Sequence, residues 1–153
     1  MKKLIIAGAL IGAGVCGTIK SISANTMPVT VSKEQIIQET TVSAEEIKQL
    51  QEMGIDYNDL VETARDRNND LFDDPMTFDK NNRFIFFSDG AMESGPIDGE
   101  GSYIADGITG LVLARYNPAT DPNAVDFKTA KELNELRDIR YYVDYHLGNL
   151  KDN

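Results

Sequence analysis

The hydrophobic residues between positions 83 and 116 follow the pattern of β-strands. Residues 83–88 (RFIFFS) combine aromatic and β-branched side chains between turn-forming segments, which predicts a strand. Residues 103–116 predict one or two further strands, with Gly107 and Gly110 marking a bend or a hairpin. Residues 111–114 could instead begin a helix, but a strand is preferred because a glycine precedes them and Asn-Pro follows.

From Asp126 onward the apolar spacing becomes helical and predicts one long helix that ends near Leu147, before Gly148. One face of this helix forms an apolar core stripe: Leu133, Leu136, Ile139, Val143 and Leu147. The nearly opposite face carries four aromatic residues: Phe127, Tyr141, Tyr142 and Tyr145. A helix with two such faces needs two neighbours. The aromatic face is therefore either covered by the domain itself or binds a protein partner.

A pair of shorter helices is predicted upstream of the strands. Ser43 and Glu46 have the spacing of a capping box, which predicts that a helix begins there and ends near Gly54. A second helix is predicted to begin after Asp56 and to fade near residues 68–69. The short connection between the two helices indicates an αα-hairpin.

Residues 1–24 have the composition of a signal peptide or membrane anchor. Residues 4–19 carry no charge and follow two lysines, which is typical of a secretory signal. A helix of this length would span about 24 Å, short of a hydrocarbon core of about 30 Å. Three fates stay open: a cleaved signal, a retained anchor, or lipidation at Cys16, although Val15 departs from the usual lipidation motif.

The remaining chain is expected to form a tether over residues 25–42 and a single small domain over residues 43–153. The tether is rich in Thr, Ser and Gln and has no clear period, although a short strand around residues 29–31 is an alternative. The predicted fold class is α+β. It comprises the N-terminal segment, the helical pair, a small antiparallel sheet of two to four strands and the long C-terminal amphipathic helix.

Composition and charge exclude several classes of function. A chain of 153 residues is long enough for one domain of ordinary size. Its formal net charge of −10 disfavours binding to nucleic acid. A single Cys excludes an intramolecular disulfide, and a single His excludes a His-based zinc cluster. No motif indicates a nucleotide or another cofactor, and none is specific enough to identify a family.

Two acidic segments, residues 66–82 and 89–101, are predicted to be loops, and each could bind calcium weakly. The first begins with acidic or amide side chains at alternate positions, as an EF-hand loop does: Asp66, Asn68 and Asp70. The match fails later, because Leu71 replaces the required glycine and Thr77 replaces the bidentate glutamate. We therefore assign no metal ligands.

A pair of carboxylates can also hydrolyse glycosidic bonds, and the second acidic segment offers Asp89, Glu93 and Asp98. Two nearby carboxylates are common by chance in so acidic a chain. A small carboxylate-dependent hydrolase acting on cell-wall glycan is therefore an alternative, as is a calcium-dependent structural protein.

The preferred interpretation is an exported, envelope-associated acidic module that binds or assembles and does not catalyse a reaction. Its expected location is the periplasm, the cell surface or the membrane, in a bacterial or phage-type system. The predicted partner is a protein at the envelope or in a membrane-linked assembly, with membrane contact through residues 4–19 if these are retained. The partner-binding residues are predicted to be the aromatic face of the final helix: Phe127, Tyr141, Tyr142 and Tyr145.

Overall fold

The structure, a computed structural model, describes residues 28–150 of the chain. The elements in chain order are β1 (Thr30–Val31), α1 (Lys33–Thr40), α2 (Ala44–Glu52), α3 (Tyr57–Asp73), β2 (Arg83–Phe87), β3 (Met92–Gly95), β4 (Ser102–Ala105), β5 (Val112–Tyr116) and α4 (Phe127–Leu147). The α+β class and the long C-terminal helix are confirmed. The predicted signal or anchor at residues 1–24 lies outside the described residues.

The segment predicted to be a tether contains ordered structure. β1 pairs antiparallel with β2. The Ser32 hydroxyl then caps α1 by accepting a hydrogen bond from the backbone N–H of Gln35 at 3.1 Å. Val31 and Ile36 are almost fully buried in the core. The tether prediction is therefore wrong from residue 30 to residue 40. An eight-residue helix that buries one large apolar side chain leaves no repeating pattern to detect.

β2 is the central strand of a three-stranded antiparallel sheet with the order β1-β2-β3. The strand predicted at residues 83–88 is confirmed. β3 pairs Met92 with Phe86 and Gly95 with Arg83. It lies in a segment predicted to be entirely loop. Its sequence, MESG, has low intrinsic strand preference, so pairing with β2 rather than local propensity forms this strand.

The helical pair begins where the caps predict. The Ser43 hydroxyl accepts from the backbone N–H of Glu46 at 3.0 Å, and the Glu46 carboxylate accepts from the backbone N–H of Ser43 at 3.0 Å. Asp56 caps α3. α3 extends about one turn beyond its predicted end because Phe72 is buried in the core. The loop predicted at residues 66–82 is consequently helical as far as Asp73.

α4 is the element around which the other helices pack, since it contacts α1, α2, α3 and β2. Its predicted bounds are confirmed, with Asp126 as N-cap and Gly148 in the left-handed conformation after the last turn. Leu133, Ile139 and Val143 of the predicted core stripe are buried. Between residues 28 and 150, no helix is both long and apolar enough to cross a bilayer.

Four phenylalanines from different elements form the centre of the main core: Phe72, Phe78, Phe84 and Phe127. The ring centroid of Phe72 lies 4.9 Å from that of Phe78 and 5.6 Å from that of Phe127, and the latter pair meets edge to face. This cluster joins α3, the following loop, β2 and the start of α4 into one packed unit.

Candidate functional site: an exposed β-hairpin

β4 and β5 form a separate two-stranded antiparallel sheet. Tyr103 pairs with Arg115 and Ile104 with Ala114, and a bulge follows Ile104. Of the bend and the hairpin that Gly107 and Gly110 left open, the structure has the hairpin, and the strand preferred over a helix for residues 111–114 is confirmed from Val112 onward. All four residues of β4 are exposed, and the sheet packs against the domain only through Ala114 and Tyr116 of β5.

The root of the hairpin is the part that packs against the domain. The Tyr116 ring meets that of Phe87 edge to face at 4.5 Å between centroids. Its hydroxyl donates a hydrogen bond to the backbone carbonyl of Pro28 at 2.7 Å. Burial raises the pKa of Tyr116, and the nearby charges of Asp89 and Glu93 raise it further. The phenol is thereby kept neutral and able to donate this bond.

The turn between the strands is held by the side chain of Asp106. One carboxylate oxygen accepts hydrogen bonds from the backbone N–H groups of Ile108 at 2.8 Å and Thr109 at 2.7 Å. These bonds, that from Thr109 foremost, lower the pKa of Asp106. Gly110 adopts φ of +75° and donates its N–H to the Asp106 carbonyl. The turn therefore has a defined shape.

The hairpin exposes large apolar side chains. Ile108, at the tip, is 95 % exposed and Leu111 is 66 % exposed. We define the hairpin patch as six such residues: Tyr103, Ile104, Ile108, Leu111, Val112 and Leu113. Single exposed apolar residues are ordinary, but a cluster on one projecting element indicates an interaction site. A two-stranded hairpin is also only marginally stable in water by itself.

The hairpin is electrically neutral although the chain is strongly acidic. Residues 102–116 contain one acid, Asp106, and one base, Arg115, so the formal charge of −10 lies entirely outside them. The Arg115 guanidinium lies 5.6 Å from the centre of the Tyr103 ring, within the range of a cation–π contact. An approaching surface therefore meets no net repulsion at the hairpin patch.

The structure separates the four aromatic residues predicted as one partner-binding face. Phe127 packs in the phenylalanine cluster, and Tyr142 is partly buried against the second core cluster, which includes Leu50. α3 and β2 cover this side of α4 near Phe127, so the prediction of one continuous exposed aromatic face is wrong. Tyr141 and Tyr145, one helical turn apart, are 45 % and 63 % exposed. Partner binding by these two tyrosines stays a prediction.

The carboxylates considered for hydrolysis lie on different parts of the sheet and its loops. Glu93 lies in β3 and accepts a hydrogen bond from the Ser102 hydroxyl at 2.6 Å. Its other oxygen is buried without a partner among the described residues. Asp89 accepts from the backbone N–H of Ala91 in the turn before β3. Asp98 belongs to the turn that follows β3. Glu93 lines one side of a shallow depression of about 200 Å³.

Of the three residues that resembled the start of a calcium loop, Asn68 serves the packing of α3 instead, whereas Asp66 and Asp70 are exposed on the same helix. Asn68 is fully buried, donates to Asp138 on α4 at 2.7 Å and accepts from Asn134 at 2.7 Å. Across residues 28–150, no three His, Cys, Asp or Glu side chains are grouped so that they could hold a metal ion.

Comparisons of the chain with protein-family models, curated proteins and solved structures find no match.

The sequence predicted the strands of the hairpin but not its exposure. Residues 111–113, Leu-Val-Leu, form a continuous apolar run, and such runs usually indicate a buried strand. The neighbouring signal was Ile108, an apolar residue inside a turn whose other positions are Asp, Gly, Thr and Gly. Turn tips seldom reach a core, so this isoleucine pointed to an exposed apolar site.

Proposed function

We propose that the protein is an acidic binding or assembly module without catalytic activity, and that the hairpin patch is its principal recognition surface. The observation that carries this proposal is Ile108, which an ordered turn holds almost fully exposed. Recognition elements gain affinity when they are already ordered before binding, because less conformational entropy is lost.

The size of the hairpin patch is sufficient for useful affinity. Fully burying one isoleucine or leucine side chain contributes about 1.5–3 kcal/mol. Ile108 and Leu111 alone therefore offer about 3–6 kcal/mol before the costs of association, and each 1.4 kcal/mol changes affinity about tenfold. Tyr141 and Tyr145 supply a second, smaller surface on α4.

We further propose that the module works at the cell envelope, in the periplasm, at the cell surface or attached to the membrane. This part rests on the uncharged residues 4–19, as a cleaved signal or a retained anchor. The calcium alternative has less support, since Asn68 is committed to packing. The hydrolase alternative has less support, since the depression of about 200 Å³ beside Glu93 is small for a ligand pocket.

Site-specific photocrosslinking in the native cells tests the binding function. A photoreactive amino acid at position 108 should form a discrete covalent adduct. The matched control is position 76, because Met76 is an apolar loop residue that is 91 % exposed, almost as much as Ile108. An adduct at 108 and none at 76 supports the proposal. Equal adducts at both positions, or none at 108, would show that the hairpin does not bind selectively.

The same experiment at position 145 tests the tyrosine pair. An adduct at 145 but not at 108 would move the recognition surface from the hairpin to the end of α4. Adducts of the same mass at both positions would indicate one partner that spans both surfaces.

A further inference from the structure

We infer that β4 pairs along its free edge with β4 of a second copy, so that two chains form a dimer through a continuous four-stranded antiparallel sheet. This inference rests on the proposed binding function and names its partner. Within the part of the chain that the structure describes, β4 is hydrogen-bonded to β5 alone. Its other edge therefore presents unpaired backbone N–H and C=O groups.

The β4 edge lacks two of the features by which proteins usually prevent such pairing, charge and proline, although the strand is short and a bulge follows Ile104. Its sequence, SYIA, contains no charged residue and no proline, and every residue of the strand is exposed. An open edge of this kind is completed by an extended strand. A second copy supplies one with the same apolar character, and two-fold symmetry closes the assembly after one pairing.

Pairing also removes the weakness of a separate hairpin. Two strands alone are marginally stable in water, whereas three or more with an apolar face can be stable. The order β5-β4-β4-β5 in the dimer would give four. The turn ordered by Asp106 keeps each β4 extended before the copies meet, which reduces the entropy lost on association.

Charge favours the antiparallel arrangement in particular. β4 runs from the root of the hairpin toward its tip. Antiparallel pairing of two β4 strands therefore places the two acidic domains at opposite ends of the new sheet. A strand of four or five residues is about 15 Å long, beyond the screening length of about 8 Å at physiological salt. The neutral hairpins can thus meet while the acidic bodies stay apart.

The available area fits a weak dimer. Judged by their exposed fractions, the six side chains of the hairpin patch leave on the order of 600 Å² accessible. Edge pairing buries only the part of this area that lies next to β4, because the side chains stand on both faces of the sheet, so the interface is smaller than the roughly 1,200 Å² at the lower bound for standard interfaces. We therefore expect association that depends on protein concentration.

The test is the mass of the full chain, purified from its native cells, by native mass spectrometry across a concentration series up to about 100 µM. We expect twice the mass of one chain at the upper end. Ile104→Lys adds a charge to the pairing strand and should raise the dissociation constant at least about tenfold. The matched control is Ile37→Lys, because Ile37 is similarly exposed, at 43 % against 36 %, but lies on α1.

A monomer at every concentration, or a dimer unaffected by Ile104→Lys, would overturn the inference. Circular dichroism must show that this variant keeps its helices; if it unfolds, Tyr103→Lys at the same edge replaces it.

The mass of the photocrosslinked adduct at position 108 separates the two proposals. Twice the chain mass supports the dimer. A different protein mass overturns the dimer and leaves the binding function standing, and no adduct contradicts both. A chain that instead co-floats with neutral phospholipid vesicles as a monomer would identify a lipid surface and overturn the dimer.

Discussion

Asn68 is a fully buried polar residue at the contact between α3 and α4, and replacing it with aspartate tests this contact sharply. Its amide group donates to the Ala64 carbonyl at 2.8 Å and to the Asp138 carboxylate at 2.7 Å. Its oxygen accepts from the Asn134 amide at 2.7 Å. Asn68→Asp preserves the size and shape of the side chain. It removes the two donated hydrogen bonds, because a carboxylate oxygen then faces the Ala64 carbonyl and the Asp138 carboxylate. It also places a second carboxylate beside Asp138.

We expect Asn68→Asp to lower the free energy of unfolding by about 3 kcal/mol at pH 7, the lower end of the range for a buried charge without a partner, because Arg67 already pairs with Asp138 nearby. Burial and the Asp138 charge would both raise the pKa of the new carboxyl above its ordinary value. Since the folded-state pKa exceeds the unfolded-state value, the destabilisation is complete above the folded pKa. It disappears as pH falls below the unfolded value near 3.9. The variant should therefore be closest to the wild type in acid.

Urea unfolding followed by circular dichroism at pH 7 and pH 4 measures this difference. Asn58→Asp is the matched control, because Asn58 is exposed in the first turn of the same helix, where a negative charge is tolerated or mildly stabilising. We expect this control to change the free energy of unfolding by no more than about 0.5 kcal/mol. A loss below about 1 kcal/mol for Asn68→Asp, or a loss that does not shrink in acid, would refute the reasoning about this network.

Phe72→Ala removes a fully buried ring from the phenylalanine cluster and should cost about 3–5 kcal/mol in urea unfolding; a loss under 1 kcal/mol would contradict the packing. Glu46→Gln weakens the capping box and the two hydrogen bonds from Arg140, and should lower the free energy of unfolding by about 1–3 kcal/mol at pH 7. The hydrogen bonds from Arg140 are the main cause of the lowered pKa of Glu46. Because the folded-state pKa is lowered, this contribution is present above pH 4.5 and is lost as pH falls further, so equal losses at pH 7 and pH 3 would refute it. Gly101 has φ of +80°, and a Cβ added by Gly101→Ala would lie against the Tyr116 backbone carbonyl. This variant should therefore increase the hydrogen-exchange rate of the hairpin amides. Gly107→Ala is the control, because open space surrounds Gly107, and it should leave that rate unchanged.

Elements with local signals were predictable from the sequence, whereas those formed by tertiary contact were not. Ser43 and Asp126 each cap a helix through bonds within three residues, so the sequence alone locates these helix starts. β3 forms because β2 lies beside it. α1 also has a local cap at Ser32, but it buries a single large apolar side chain, Ile36. Neither leaves a period in the sequence.

The candidate site shows the same division. The turn at Asp106 and the two strands follow from local chemistry, so the hairpin itself was predictable. Its exposure depends on where the root is fastened, through Tyr116 to Phe87 and Pro28, contacts 29 and 88 residues apart in sequence. The division of the aromatic face of α4 into partly buried Phe127 and exposed Tyr145 likewise depends on which elements cover the helix.

The fastening of the hairpin root links the two proposals about location and assembly. The Tyr116 hydroxyl bonds to the Pro28 carbonyl, so the chain enters the described domain beside the hairpin root. An anchor over residues 4–19 would be joined to this point by eight residues, which reach at most about 28 Å. Two anchored copies would then hold their hairpins in one thin layer above a membrane. This confinement raises the effective concentration of one hairpin around the other. A β4 edge that is too small for tight association in solution would then suffice for dimer formation at the membrane.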